Sequence, residues 1–502
     1  VPARAGALLA VACFLVSASP ASAALDEVNT QKLRKAVTVN GILGHERALQ
    51  SIANLNGGTR ASGTPGYDAS AAYVKRKLQA AGYTVTEQEF EFPFFEETAP
   101  AVFERTAPTP RTYVNPDDFV TMEYSGSGDV TAAVQAVDVQ LPPPAQPGST
   151  SGCEAADFAG FTAGNVALIQ RGTCDFAVKA ANAEAAGASA VIIFNEGQPG
   201  RTETLNGTLG GPAATIPVIG TSFAVGEELA GLAGAQVHLA TTTLSETRRT
   251  TNLLADSTRG DAEQTVVVGA HLDSVPEGPG INDNGSGTAT DLEVAIQLAK
   301  QGVTPRRKLR FAFWGAEESG LLGSQHYVDT LGDEISSIYA NLNFDMVGSP
   351  NYVRFVYDGD GSATPAAGPP GSAQIEALFN DYFAGQGLAT DPTAFDGRSD
   401  YGPFIATGVP AGGLFTGAEG VKTPEQAAVY GGTAGVAYDP NYHQAGDTTS
   451  NLSTKALNEM SDAVAHATLT LARSRSGFFE DGSRQMTRRV KLKTYRGPNA
   501  VR

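Results

Sequence analysis

The sequence predicts an α/β fold: a mostly parallel sheet with helices on both faces, interrupted by a smaller inserted module. Three observations predict it. From Thr250 onward, apolar runs of strand length alternate with helical stretches, and such alternation gives a parallel sheet sandwiched between helices. Far upstream, residues 40–92 hold a helix-and-strand pair of the same character, which joins the same sheet. Between these regions lies a block of short buried-strand runs with its own glycine-rich turns, as a separate folding unit would have.

Taken in order, the chain opens with an export signal over residues 1–23. Arg4 supplies a positive start, 7–16 are apolar, and Ala21-Ser22-Ala23 is a cleavage site before Ala24. The apolar run falls short of the about 20 residues a membrane span needs, and no later segment is long and apolar enough. Residues 24–112 begin the main domain. Within them 69–78 carry helical spacing that stops at Gly82, 84–90 alternate as a half-buried strand, and 99–112 read as a linker rich in proline and threonine. The inserted module spans 113–243, with buried strands at 166–169, 190–194 and 216–219. The main domain resumes over 244–475, with strands at 266–270, 309–314 and 339–344 and helices at 291–298 and 321–331. From Ser476 to Arg502 the chain turns basic, through Arg484, Arg488, Arg489, Lys491, Lys493, Arg496 and Arg502, and reads as a solvated or processed end.

The 502 residues carry 53 acidic and 35 basic side chains, for a net charge of −18. Such a chain repels nucleic acid and anionic membranes, so neither is expected as a partner. Of 3 cysteines, Cys13 leaves with the signal. Cys153 and Cys174 remain, an even number in an exported chain, which predicts a disulfide bracing the inserted module.

The chemistry sits where acidic and histidine residues follow strands. His271 and Asp273 come directly after the 266–270 strand, and Asp283 lies in the loop Gly280-Ile281-Asn282-Asp283-Asn284-Gly285. Glu317 and Glu318 follow Trp314, Asp345 follows Phe344, and His443 arrives later beside Tyr442. In open α/β sheets ligands bind beyond the carboxyl ends of the strands, so three strands deliver charge to one place. Gathered carboxylates need compensating cations, and imidazole with carboxylate suits zinc. With His271, Asp283, Glu318, Asp345 and His443 as ligands and Asp283 bridging, three carboxylates and a hydroxide balance two Zn²⁺. Glu317 is then left to move protons. Each residue alone has a plainer reading: a structural histidine, a turn-forming aspartate, an acidic helix start. That plainer reading is kept for His45, His238, His326 and His466.

The motifs Gly269-Ala270-His271-Leu272-Asp273-Ser274, Gly280 to Gly287, Trp314-Gly315-Ala316-Glu317-Glu318, Asn343-Phe344-Asp345-Met346 and Tyr442-His443 resemble those of the M28 zinc aminopeptidases, closest to the bacterial secreted leucine aminopeptidase type. The likeness covers 40–92 and 250–472. Residues 165–195, with Arg171-Gly172-Thr173-Cys174-Asp175-Phe176 and Ala186-Gly187-Ala188, resemble a protease-associated (PA) domain, a lid or recognition module.

The resemblance implies a secreted, monomeric enzyme that removes N-terminal residues, large apolar ones such as Leu, from peptides with a free amino terminus. It implies one zinc on His271 and Asp345, a second on Glu318 and His443, and Asp283 between them. Glu317 is the general base, Tyr442 stabilises the developing negative charge, and Asp273 orients His271. Arg398 helps hold the free amine, and Met346 and Phe415 line the side-chain pocket. Two features depart from the family. Asn441 and Ala445 stand where cysteines flank the Tyr-His pair, which puts the rigidity of that loop in question, and the family's calcium site is poorly matched. Asn206, Asn284 and Asn451 each begin a glycosylation sequon, and a glycan on Asn284 would obstruct the metals unless that residue is buried. Two alternatives stay open: a carboxypeptidase or aminoacylase on the same scaffold, and a binding protein working through its PA-like module.

Overall fold

The computed structural model describes residues 25–479. The export signal and the basic residues from Arg484 onward lie outside the described residues. Helices Gln31–Ala36, Val39–Leu55 and Pro65–Ala80 open the chain. Thr64 caps the third through its side chain, and Pro65 occupies the first turn, where a missing N–H costs nothing. Gly82, at φ 94°, follows its end.

Strand β1 (Thr84–Ala107) and the short β2 (Arg111–Thr112) replace the expected linker. Residues 99–107 are the far half of a 24-residue strand. It runs along an edge, paired over most of its length only with β8 (Gln236–Asp256). An edge strand tolerates Pro93 and Pro100, whose missing N–H groups would break an interior ladder. Proline-rich composition therefore misread an edge as a linker.

The inserted module holds β3 (Phe119–Thr121), β4 (Gly128–Val137), β5 (Val166–Gln170), β6 (Ala190–Phe194) and β7 (Val218–Thr221). Strands β4 to β7 are parallel neighbours in sequence order, with β3 antiparallel on β7. β5 and β6 are buried at every position, which is why they read as unbroken apolar runs. β7 starts after Pro217, which has no N–H for the ladder. β8 pairs with β4 in its first half and with a main-domain strand in its second. The two parts of the molecule thus share a ribbon of two long strands.

The main domain continues with β9 (Asp261–His271), β10 (Arg307–Trp314), β11 (Ile338–Phe344), β12 (Phe355–Tyr357), β13 (Asp391–Thr393) and β14 (Ala411–Phe415). β10, β9, β11 and β14 lie side by side and parallel. β8 and β12 flank them antiparallel. Val266 and Val268 face one apolar cluster, with Leu292, Phe379 and Val464 from helices Gly287–Lys300, Ser372–Gly385 and Thr454–Arg473. Val267 faces another, with Tyr327 and Val328 of helix Leu322–Leu331. Alternate residues of one strand point to opposite faces, so helices cover both.

The tail boundary read at Ser476 comes too early. Ser476 hydrogen-bonds to Asp26, and the fully buried Phe478 stacks on Tyr339 with ring centroids 4.5 Å apart. Aromatic burial keeps these residues with the body of the domain.

Cys153 and Cys174 are bonded across 21 residues of chain. Replacing both with Ser is expected to lower stability by about 3 kcal/mol, because the open loop regains entropy in the unfolded chain. Calorimetric unfolding of the variant measures this. Unchanged stability, or two free thiols on mass mapping of the unreduced native protein, would refute it.

Candidate metal centre

Three of the parallel strands, β9, β10 and β11, end at one crevice. His271 is the last residue of β9, Asp345 follows β11 directly, and Glu317 and Glu318 lie just beyond β10. Asp283 comes from the turn that leads into helix Gly287–Lys300, and His443 from the loop before helix Thr454–Arg473. Gly280 allows the Asp283 turn. Its φ is 58°, and a Cβ there would lie 2.3 Å from Asp283 O and 2.4 Å from Ser274 Cβ. Ala316, Met346 and His443 take φ of 52°, 50° and 56°, a region non-glycine residues seldom adopt and one associated with functional sites.

The donor atoms form two groups that share Asp283. His271 Nε2 lies 3.2 Å from Asp283 Oδ1 and 3.3 Å from Asp345 Oδ1. His443 Nε2 lies 3.2 Å from Asp283 Oδ2 and 3.1 Å from Glu318 Oε2. One carboxylate therefore turns one oxygen to each group. Asp345 Oδ1, Glu318 Oε1 and His443 Nε2 are buried yet have no hydrogen-bond partner. Close approach without hydrogen-bond geometry is what donors arranged around a common cation give, so the residues fit metal ions of the zinc type.

The electrostatics agree. Burial, reinforced by Asp400, Glu318 and Asp345 and opposed by His271, pushes the Glu317 carboxyl well above its usual range. Burial and Asp283 raise Glu318 to about 7 against the pull of His443. Burial alone would lower both histidines. Instead Glu317 and Asp345 hold His271 well above the imidazole range, and Glu318 and Asp283 hold His443 at about 11. Against its own burial, the two imidazoles keep Asp283 below the carboxylate range. The pocket strongly attracts positive charge.

The remaining expected residues come to the same place. Asp273 lies against His271, its main-chain carbonyl 3.2 Å and its Oδ1 3.6 Å from Nδ1, so the carbonyl is the nearer partner. Asp273 Oδ1 also accepts from Glu317 N. Tyr442 stacks on His443 with centroids 3.8 Å apart, and burial keeps its hydroxyl protonated. Arg398 donates to Glu419 at 2.8 Å and to the Tyr442 hydroxyl at 3.4 Å. A guanidinium has only donors, so Arg398 has no side-chain atom that could accept from an amine; its guanidinium contacts Glu419 and Tyr442. Met346 and Phe415 line the pocket beside His271, Asp283, Glu318 and Asp345, with Tyr357, Leu321 and Ala418.

Several positioning residues escaped the sequence reading. Ser399 donates to Asp345 Oδ2 at 2.7 Å and is itself held by Asn343. Asp447 accepts from the backbone N–H groups of Asn282 and Asp283. Buried Arg60 donates to the carbonyls of Leu272, Pro279 and Gly280, clamping the loop between His271 and Asp283. Ser399 stands beside Arg398 and Asp447 four residues after His443, so nearness to expected site residues was their one sequence signal; Arg60, 212 positions from Leu272, gave none. Ser399→Ala should weaken metal binding by about 10–100-fold, the usual effect of losing a residue that orients a ligand. Competition with a chelating indicator measures this, and unchanged affinity would exclude the role.

Where the family's flanking cysteines are missing, Asn441 donates to Asn451, which donates to Asp439 and Asp447. Asn284 is fully buried, with its side-chain amide bonded to Phe344, Met346 and Gly287. His45 bonds Tyr73, His238 pairs with Asp129, His326 stacks on Phe90 and His466 bonds Thr30, all away from the centre.

A crevice that gathers two imidazoles and four carboxylates at the ends of parallel strands, beside a pocket, is the arrangement of a metallohydrolase. Residues 252–468 match Peptidase family M28 and residues 132–229 match the PA domain. An aminopeptidase of Pseudomonas aeruginosa (strain UCBPP-PA14) is 49% identical over 445 residues, covering 88% of this chain and 82% of that protein. Leucine aminopeptidase 2 of Trichophyton equinum is 48% identical over 333 residues, covering 65% and 66%. Among solved structures, the aminopeptidase from Aneurinibacillus sp. strain AM-1 superposes with a TM-score of 0.65 at 26% identity, covering 92% of this chain and 98% of that one. BSAP, a zinc aminopeptidase from Bacillus subtilis, gives 0.58 at 26%, covering 89% and 98%. The chain belongs to peptidase family M28 and is a peptidase.

Proposed function

We propose that this peptidase is an exported, monomeric aminopeptidase that uses two zinc ions to release N-terminal residues, preferably large apolar ones such as Leu, from peptides. The observation that carries the reading is the division of Asp283, one oxygen toward His271 and Asp345 and the other toward Glu318 and His443. These five residues would hold the ions, and three carboxylates with one hydroxide would balance their charge. Bound zinc supplies Lewis acidity toward the scissile carbonyl and lowers the pKa of water.

The chain's own residues do the rest. Glu317 takes the proton of the attacking water and passes it to the leaving amine, a role suited by a raised carboxyl. The Tyr442 hydroxyl donates to the carbonyl oxygen as negative charge develops. Asp345 and Glu317 supply the anionic surroundings a substrate ammonium needs. Met346, Phe415, Tyr357 and Leu321 make one side of the pocket apolar, which favours a Leu-sized side chain. The bonded cysteines suit an exported chain, and no helix among the described residues is long and apolar enough to cross a membrane.

The test is hydrolysis of amino-acid p-nitroanilides, free and N-acetylated. Free Leu p-nitroanilide should be cleaved best and its acetylated form not at all. Preferred cleavage of blocked substrates would overturn the aminopeptidase reading in favour of an aminoacylase or carboxypeptidase.

A further inference from the structure

A larger opening, of about 1220 Å³, lies between the inserted module and the main domain, beside the metal centre. Glu318, Gly320, Leu321 and Asp396 line both this cleft and the pocket above. The pocket and the cleft therefore adjoin.

The cleft is lined by acidic residues, among them Glu96, Glu97, Glu123, Glu277 and Asp396, and among the described residues no Lys or Arg lines it. The protein's general acidity accounts for scattered carboxylates in water, but here two modules bring them together. Glu123, just after β3, is mostly buried; burial, opposed by a hydrogen bond from Thr208 and reinforced by the charge of Glu277 from the loop after β9, holds its carboxyl above the usual range. Asp273, which also lines the cleft, keeps Oδ2 buried and without a hydrogen-bond partner. Glu97 accepts from Ala101 N and Thr121 Oγ1. Facing carboxylates in a partly closed space repel each other, and a cation between them removes the repulsion. Phe95 and Tyr124, with rings 5.8 Å apart on the same wall, add faces that attract cations and cover an alkyl stem.

We propose that this cleft receives the part of the peptide downstream of the cleaved bond and selects Lys or Arg there, with Glu123 and Glu277 as the recognising anions. The inference rests on the aminopeptidase reading and adds a substrate class to it.

The experiment compares kcat/KM for Leu-initiated tetrapeptides carrying Lys, Ala or Glu downstream. Each is referenced to Leu p-nitroanilide, which is too short to enter the cleft, in wild type and in the Glu123→Gln/Glu277→Gln variant. The wild type should favour Lys over Glu peptides by about tenfold, the scale of one partly desolvated charge-assisted contact. The variant should lose most of that preference, and added salt should diminish it in the wild type. Equal rates for the three peptides in wild type, or a preference the variant keeps, would overturn the proposal. Calorimetric binding of the Lys and Glu peptides to Glu317→Gln protein reads the cleft without turnover, and equal affinities there would also overturn it. If zinc-loaded wild type fails to cleave Leu p-nitroanilide, the aminopeptidase reading is what fails.

Discussion

Glu317→Gln is expected to lower kcat by about 10²–10⁴-fold, the usual contribution of general acid–base catalysis, while the protein still binds two zinc ions. The substitution keeps the side chain's size and removes its capacity to take a proton. Glu317 belongs to neither group of metal donors, whereas Glu318, next in the chain, belongs to the group with His443 and Asp283. Ala316 before them, at φ 52°, turns the backbone sharply as it leaves β10. Glu318→Gln should therefore act differently: it weakens one zinc site, and excess metal partly restores the rate. Zinc stoichiometry and kcat for both variants, at fixed pH and metal, give the comparison. Loss of a zinc from Glu317→Gln with both retained in Glu318→Gln would reverse the two roles.

Chelation is expected to abolish activity, and zinc to restore it, with full recovery at two equivalents. The charges explain why the loss should be complete. Two imidazoles face Asp283, Asp345, Glu317 and Glu318 in a buried crevice, and like charges held together in that way need cations. Without metal the histidines bind protons in its place, which removes them as ligands. Stability offers a readout independent of turnover. Metal that binds only the folded state raises it by about 4 kcal/mol at 1,000 times the dissociation constant, so Tm should climb with free zinc. Full activity in protein shown to be metal-free by elemental analysis would sink the mechanism.

Much of this architecture was legible in the chain. β9 announces itself through its apolar run at Val266–Val268, buried on both faces, and β10 and β11 through strand-length stretches dominated by apolar residues. Their ends are equally visible, as His271, Glu317, Glu318 and Asp345 stand where those runs stop. The disulfide followed from the two cysteines, Cys153 and Cys174, left once Cys13 is assigned to the expected export signal. Helix Pro65–Ala80 was marked by local signals, an apolar stripe and a closing glycine, though its capping Thr64 emerged only in the structure.

Other features depend on contacts between residues distant in sequence. Proline content alone does not separate a linker from an edge strand, because what spares β1 is the absence of a neighbour along most of its outer side. The same limit hid Arg60, whose partners lie on a loop 212 or more residues away, and left the cleft between the modules unforeseen. By itself the sequence determined which residues carry charge to the ends of the strands, since periodicity and strand termination are local properties. Only the tertiary structure decided that Asp283 presents one oxygen to each donor group, that Ser399 holds Asp345 and Asp447 holds the Asp283 turn, and that Glu123 and Glu277 line one cleft. Those juxtapositions are set by strand order and by the β1–β8 ribbon, which no local pattern of residues encodes.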